Sequence, residues 1–293
     1  MTRLECVPNI SEGRRRDVID GCVEAASTRG VRVLDVSSDP DHNRTVLTLL
    51  GEGGDLVAAV TGLAAAAIRH IDVSRHRGVH PFLGALDVAP FVPLEATQMP
   101  AAVGAAHQCA DALAGLDLPV LFYGQAASAP GRAALADHRR GGLARLADRM
   151  ATGDWPPDRG PNRPHPTGGA TCVGARPPLV AFNLLLDTDE LAAAKRIAAS
   201  LRESGGGPPG VRALGLYLES RAQAQVSVNL TDCDRTSLLD VVRRADELAA
   251  AAGVRVVETE LVGLAPRRVL AAGGAAALRL PGSLDRQILE SHL

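Results

Sequence analysis

Lysine is almost missing from this 293-residue chain: Lys195 is the only one, and every other basic residue is arginine. It lies in AAAKRIAAS, a helical-looking stretch with no partner close in sequence. A Schiff-base lysine has to be activated by its neighbours, so amine-based covalent catalysis has no support. Aromatic residues are also scarce, at 2%. The core must therefore be built from Ala, Val and Leu, and a row of rings for stacking bases is excluded. Net charge is only −2, with a pI near 6.4, which argues against a protein that coats nucleic acid. The five cysteines (Cys6, Cys22, Cys109, Cys172 and Cys233) are scattered and contain no CxxC pair. An odd, spread set is neither a disulfide framework nor a zinc site.

Other patterns are missing too. No run of 18 clean apolar residues occurs, and MTRLECVPNI has no signal-peptide pattern. A reducing cytoplasm is the expected location. GxxxxGK[ST], GxGxxG and GxSxG are all absent, which leaves nucleotide-phosphate and serine-hydrolase readings without support. What remains is ordinary for a folded protein: 46% hydrophobic and 22% charged residues, in a chain long enough for one large or two modest domains.

The hydrophobic pattern reads twice in the same order. RLECVPNI is strand-like; Arg14 to Thr28 carries Val18, Ile19, Cys22, Val23 and Ala26 at helical spacing, and Gly30 ends it. VRVLDVS and NRTVLTLLG read as strands, Asp55 to Ile71 as a helix, and LDVAPFVPL as a strand that Pro90 and Pro93 push toward an edge or a bend. A helix over about 97–116 and the strand PVLFYG follow. In the second half LVAFNLLL, a helix from Glu190 to Arg202, VRALGLYLES, AQVSVNL, a helix from Ser237 to Ala251, and VRVVET repeat the series. Each half is β-α-β-β-α-β, the ferredoxin-like order. The expected fold is α+β, with two tandem α/β sandwich subdomains over residues 1–178 and 179–293 and a groove between them. The Pro- and Gly-dense segment between the halves, DWPPDRGPNRPHPTGGATCVGARPP, reads as an ordered loop lining that groove, because Thr171, Cys172 and Val173 look strand-like.

Three polar clusters could carry chemistry. DVSSDPDHNRTV places Asp39, Asp41, His42, Asn43 and Arg44 between two strands. It suits a binding loop, an Asp/Asn turn that caps its own backbone amides or, less well, a metal site, since its spacing matches no EF-hand. SRHRGVHPFLGALD contains His76 and His80, four residues apart. Gly78 and Pro81 argue against one helix through both, and no Glu lies between them, so the metalloprotease pattern is absent. Ordinary loop histidines and an acid–base histidine both remain. PNISEGRRR sets Asn9 and Ser11 before a helix, with Ser11 a candidate N-cap and the arginines suited to a carboxylate.

Together with IDVSRHRGVHP, GALDVAPFVP, LPVLFYGQAA, GPNRPHPTGGATCVGARPPLVAFNLLL, AQVSVNLTD and ELVGLAP, the segments ECVPNISEGR and LDVSSDPDHNRTV resemble the formiminotransferase family. This is the domain type also found fused to cyclodeaminase, and no cyclodeaminase-like segment is recognised in this sequence. The resemblance implies two ferredoxin-like subdomains, usually in a homodimer, with no nucleic-acid or membrane partner. It also implies transfer of a formimino group from N-formimino-L-glutamate to N5 of tetrahydrofolate, a late step of histidine breakdown, with tetrahydrofolate as co-substrate and no metal. By it, His80 is the catalytic acid–base. An amidine is more electrophilic when protonated, so a nearby carboxylate should stabilise it, with Asp39 or Asp41 the candidate, and Arg44 could pair bidentately with a substrate carboxylate. Asn9, Asn43 and Arg44 would contact substrate. Gly160, Pro161, Asn162, Arg163, Pro164, His165, Pro166, Thr167, Gly168 and Gly169 match the family's folate-binding stretch. Val79, Phe82 and Gln125 depart from the family pattern, which usually has an acidic residue, an arginine and a glutamate there. These departures keep open a related donor such as N-formyl-L-glutamate, or a folate-binding paralogue without catalysis.

Overall fold

The computed structural model describes residues 2–270, 274–282 and 284–293. They form two compact units, Met1–Arg176 and Pro177–Leu293. In the first, β1 (Arg3–Cys6) and β2 (Asn9–Ile10) are followed by α1 (Arg16–Ala26), β3 (Arg32–Asp39), β4 (Arg44–Glu52), α2 (Gly53–His70) and β5 (Leu86–Pro93). After these come α3 (Met99–Ala114), β6 (Val120–Gly124), α4 (Leu135–Arg139), α5 (Gly142–Ala151) and β7 (Thr171–Ala175). β1 and β2 act as one interrupted strand. Both lie between β4 and β5, and β3 pairs with β4 on the far side. That is the ferredoxin-like arrangement, enlarged by β7 and β6, which add in parallel beyond β5.

The apolar faces explain the layering. α1 buries Val18, Ile19, Cys22 and Ala26, the stripe its spacing predicts. With α2 and α3 it covers one face of the sheet, over a core rich in alanine and leucine. A smaller cluster containing Leu83, Val88, Leu121, Tyr123, Leu146 and Met150 joins α5 to β5, β6 and β7.

The second unit repeats the order without additions: β8 (Val180–Leu186), α6 (Leu191–Leu201), β9 (Val211–Leu218), β10 (Gln223–Leu230), α7 (Leu238–Ala251) and β11 (Val256–Val262). Its sheet runs β11-β8-β10-β9. Two short helices, α8 (Arg267–Leu270) and α9 (Gly274–Leu278), follow. α7 begins with a reciprocal capping box between Ser237 and Asp240. No helix among the described residues is long and apolar enough to cross a membrane.

Two expectations are corrected. β5 is not an edge strand; every residue in it is buried between β1/β2 and β7, and its pairing with β2 is interrupted by a register shift. Pro90 is tolerated there because it lies opposite the break between β1 and β2: Cys6 pairs with Phe91 and Asn9 with Val88, while the Pro90 carbonyl still accepts the Val7 N–H. Ser11 is not a helix cap, because α1 starts five residues later and the Ser11 hydroxyl donates to the Gly84 carbonyl.

Candidate active site

The site is assembled where three backbone segments meet at the ends of β2 and β4. A Cβ on Gly13 would overlap the Asp39 carbonyl, and one on Gly78 the His42 carbonyl. Only glycine lets residues 11–14, 39–44 and 76–80 approach this closely. Asn43, in the left-handed region at φ +48°, locks the junction. Its Oδ1 accepts the Gly13 N–H (2.9 Å), and its Nδ2 donates to the Arg77 carbonyl (3.0 Å). Its side chain thus braces the backbone. Glu12 occupies the position expected to attract a carboxylate. It accepts the N–H groups of Arg14 (2.8 Å) and Arg15 (3.0 Å) and the Arg15 guanidinium, so the chain fills its own helix N-terminus.

His80 stands beside this junction. Its ring lies 6.2 Å from that of His42, centroid to centroid, and it remains partly exposed. Burial holds its pKa well below the usual imidazole value; the Arg44 and Arg139 guanidiniums and His42 add to the effect, and a hydrogen bond toward Pro81 opposes it. His80 is therefore neutral at pH 7 and able to accept a proton.

Arg44 directs Nε (2.9 Å) and one amino group to Asn9 Oδ1. Burial, reinforced by Arg139, brings its pKa down to about 10 against the pull of Asp87 and Asp39. Asp39 turns toward His42, accepting its backbone N–H (2.8 Å) and lying 3.0 Å from ring Nδ1. Burial would raise the Asp39 carboxyl, but the His42 contacts outweigh it and hold the group below its usual range. Asp41 contributes its carbonyl, which accepts the Val79 N–H (3.1 Å).

Sequence reasoning missed Arg139 and its partner Asp87. In the β2–β5 pairing, Asn9 faces Val88 and Ile10 faces Leu86, so Asp87 is the extra residue of a bulge. Such bulges re-aim side chains. The buried Asp87 accepts the Leu83 N–H (2.7 Å) and pairs with Arg139 at the end of α4. One carboxylate thus fixes the chain three residues after His80 and the guanidinium beside it. A bulge is recognised only once pairing is known, and Arg139 lies 52 residues from Asp87.

The expected folate-binding stretch is ordered and belongs to the first unit. Val73 N–H donates to the Thr167 carbonyl, Ala85 N–H to Gly168, and Ala170 N–H to Leu83. His165 Nδ1 accepts the Gly168 N–H (2.8 Å). Arg163 pairs with Asp117 (2.7 Å). The buried end of the loop therefore rests on Leu83–Ala85, just downstream of His80, while Asn162, Arg163 and Pro166 are exposed. Gly169 sits at φ +69°, where a Cβ would overlap the Leu83 carbonyl. Gly169→Ala is expected to cost at least about 1–3 kcal/mol in urea unfolding; an unchanged midpoint would contradict this packing.

Of the three departing positions, only Phe82 shows, among the described residues, a side-chain contact that bears on the site. Phe82 packs edge-on against His76, with centroids 4.2 Å apart. Gln125 is exposed and tied through its backbone N–H to the Ala175 carbonyl, and Val79 is tied to Asp41. His76 and His80 share no helix. Among the described residues no group of three or more His, Cys, Asp or Glu is placed to hold a metal ion.

Burial is the leading cause that pulls His76, His80 and His138 below their ordinary value near 6.5. A group depressed in this way takes up its proton more readily in the unfolded chain. Its stabilisation is therefore present above about pH 6.5 and declines as pH falls toward the folded value. Burial would raise Glu12 and Asp39, but their hydrogen bonds lower them overall, so both titrate below the ordinary carboxylate range. At constant ionic strength, Tm is expected to fall steadily between about pH 6.5 and pH 4.5; a flat calorimetric profile would refute the neutral, buried imidazoles.

The fold and this cluster define an α+β enzyme domain of the formiminotransferase type, and the chain belongs to that family. Residues 3–176 match the formiminotransferase domain, N-terminal subdomain, and residues 181–279 match the formiminotransferase domain. Among curated relatives, the glutamate formimidoyltransferase of Streptococcus pyogenes is 41% identical over 99% of this chain and 98% of its own length. That of Thermoplasma acidophilum is 38% identical over 100% and 98%. The formimidoyltransferase-cyclodeaminase of Sus scrofa is 44% identical over 91% of this chain, which spans 51% of that longer protein.

Proposed function

We propose that the chain transfers the formimino group of N-formimino-L-glutamate to N5 of tetrahydrofolate, giving 5-formimino-tetrahydrofolate and L-glutamate, with His80 as the acid–base. Similarity to glutamate formimidoyltransferases along the whole chain supports the transfer. A partly exposed imidazole kept neutral by burial and by the nearby Arg44 and Arg139 guanidiniums supports the assignment of His80.

The chemistry requires such a group. N5 attacks the amidine carbon, a C–N bond forms, and a tetrahedral centre bearing three nitrogens results. N5 must lose a proton before the bond to the glutamate nitrogen breaks, and that nitrogen must gain one. Neutral His80 takes the first proton and returns it to the leaving nitrogen, so no net proton is consumed. The depressed pKa that keeps His80 unprotonated at pH 7 also makes its imidazolium a ready donor. Positioned proton transfer of this kind contributes about 10²–10⁴-fold. Asp39, which faces His42, or Asp41 would be the carboxylate that favours the protonated amidine. The ordered stretch 160–169 would carry the folate.

The test is product formation. Purified protein with both substrates is expected to yield 5-formimino-tetrahydrofolate, followed by NMR, and to prefer the formimino donor to N-formyl-L-glutamate. A preference for the formyl donor, or folate binding with no turnover of either, would reject the assignment.

A further inference from the structure

Arg139 and Arg44 act on His80 from different elements; Asp39 attracts Arg44 from a distance, but Asp87 is the one carboxylate paired directly with either guanidinium among the described residues. Arg44 is anchored on Asn9, a neutral acceptor, and forms no ion pair among the described residues. Arg139 has Asp87 as its ion-pair partner, and its buried Nε has no hydrogen-bond partner. The anchors are neighbours in the sheet: Asn9 of β2 faces Val88 of β5, the residue after Asp87. Two largely enclosed guanidiniums are thus anchored on neighbouring strands, near enough to repel one another, with one carboxylate paired directly to Arg139. Enclosed cations short of counter-charge, with an N–H unused, are costly unless an anion arrives.

The chain also invests unusual packing in presenting Arg139. α4 has only five residues, too few to hold its place by propensity. It is held by its neighbour in sequence, the fully buried His138. His138 Nε2 faces the Phe122 (3.1 Å) and Arg132 (2.8 Å) carbonyls, and Nδ1 accepts from Trp155 Nε1–H (2.9 Å). The Arg149 guanidinium covers the Trp155 ring at 3.8 Å. The one tryptophan in the chain and a buried histidine therefore fix the residue next to Arg139.

We propose that Arg44 and Arg139 form a clamp for the α-carboxylate of the amino-acid donor, and so restrict the enzyme to derivatives of α-amino acids. This rests on the formimino-transfer reading and names the part of the donor that the site reads. The choice of carboxylate follows from connectivity. The nitrogen that His80 must protonate is bonded to the carbon carrying the α-carboxylate. Guanidiniums beside His80 can therefore reach that group, whereas the side-chain carboxylate lies further along the donor. Bidentate guanidinium–carboxylate pairing would fix the leaving nitrogen relative to the imidazole.

The test compares L-glutamate with 4-aminobutyrate, which keeps the amine and the distal carboxylate but lacks the α-carboxylate. Calorimetry on the full chain is expected to show L-glutamate binding about 10²-fold more tightly. Arg139→Gln should weaken L-glutamate by about 10- to 100-fold, leave 4-aminobutyrate unchanged and raise KM for the formimino donor; Arg139→Lys should recover part of the loss, since it keeps the charge but not the fork. Circular dichroism checks the fold. Because Arg139→Gln leaves Asp87 unpaired, Arg44→Gln, which breaks no ion pair, provides an independent variant with the same expected pattern. Equal binding of the two amino acids by the unsubstituted chain, or equal weakening of both in the variants, overturns the clamp. Selective L-glutamate binding without formimino transfer would sink the proposed reaction and leave the clamp standing; transfer without selectivity would do the reverse.

Discussion

His80→Ala is expected to lower kcat by at least about 10²-fold while the protein stays folded. The ring is partly exposed and enters no packed apolar cluster, so its removal leaves little cavity. Loss of an imidazole whose pKa is depressed in the folded chain is also expected to shift the acid limb of the stability profile slightly lower. The pH dependence of rate gives a second, more specific readout. In the free enzyme, burial and then Arg44, Arg139 and His42 hold the His80 pKa well below 6.5. kcat/KM, which reports free enzyme, should therefore be flat from neutral pH down past about 6.5 and fall only in more acidic buffer. Once a donor carboxylate lies between the guanidiniums, their repulsion is offset and the imidazole becomes more basic. The limb in kcat, which reports the complex, should then lie at higher pH than the limb in kcat/KM. His42→Ala removes one neighbour but no proposed proton carrier, and should cost far less than His80→Ala. A His80→Ala enzyme within tenfold of the unsubstituted rate would dismiss the imidazole as proton carrier.

The doubled β-α-β-β-α-β order could be read from the chain because each element carries its own period. α1 shows helical spacing, β4 is a largely apolar run, and β10 alternates polar and apolar residues, the period of a strand. What escaped reading depends on pairing between distant segments. Pro90 looks like an edge signal until the break at Val7–Pro8 is seen to face it. Ser11 looks like a cap, yet the neighbouring Glu12 satisfies the amides before α1. β7 and β6 enlarge the first sheet through parallel pairings whose register no local pattern encodes. The same holds at the site. His80, Asp39, Asn43 and Arg44 stand out because polar residues crowd two short loops. Arg139 stands in LADHR, one arginine among many, and gains its role only when α4 packs against the bulge at Asp87. Asn43 uses its amide to bind three backbone segments into one corner, a role that local sequence does not reveal.

Asp87→Ala is expected to be the most destabilising single change near the site, at about 3–5 kcal/mol. The residue is 2% exposed and has two tasks: it accepts the Leu83 N–H at 2.7 Å and neutralises Arg139. Alanine leaves a buried amide without an acceptor and a buried guanidinium without a counter-charge, and each is costly on its own. Asp87→Asn separates the two tasks. Its carbonyl oxygen can still accept from Leu83, so the segment after His80 stays in place, but the charge opposite Arg139 is gone. Stability in urea should therefore lie between that of the alanine variant and the unsubstituted chain. The effect on ligands should run the other way, because Asp87 competes with any incoming anion for Arg139. An asparagine variant that folds should bind L-glutamate at least as tightly as the unsubstituted chain, even though it is less stable. Equal loss of stability in the two variants would mean that the ion pair carries the whole cost and that the Leu83 tether carries none. Weaker L-glutamate binding in Asp87→Asn would mean that Asp87 orients Arg139 more than it competes for it, and the sign of that one change distinguishes the two roles.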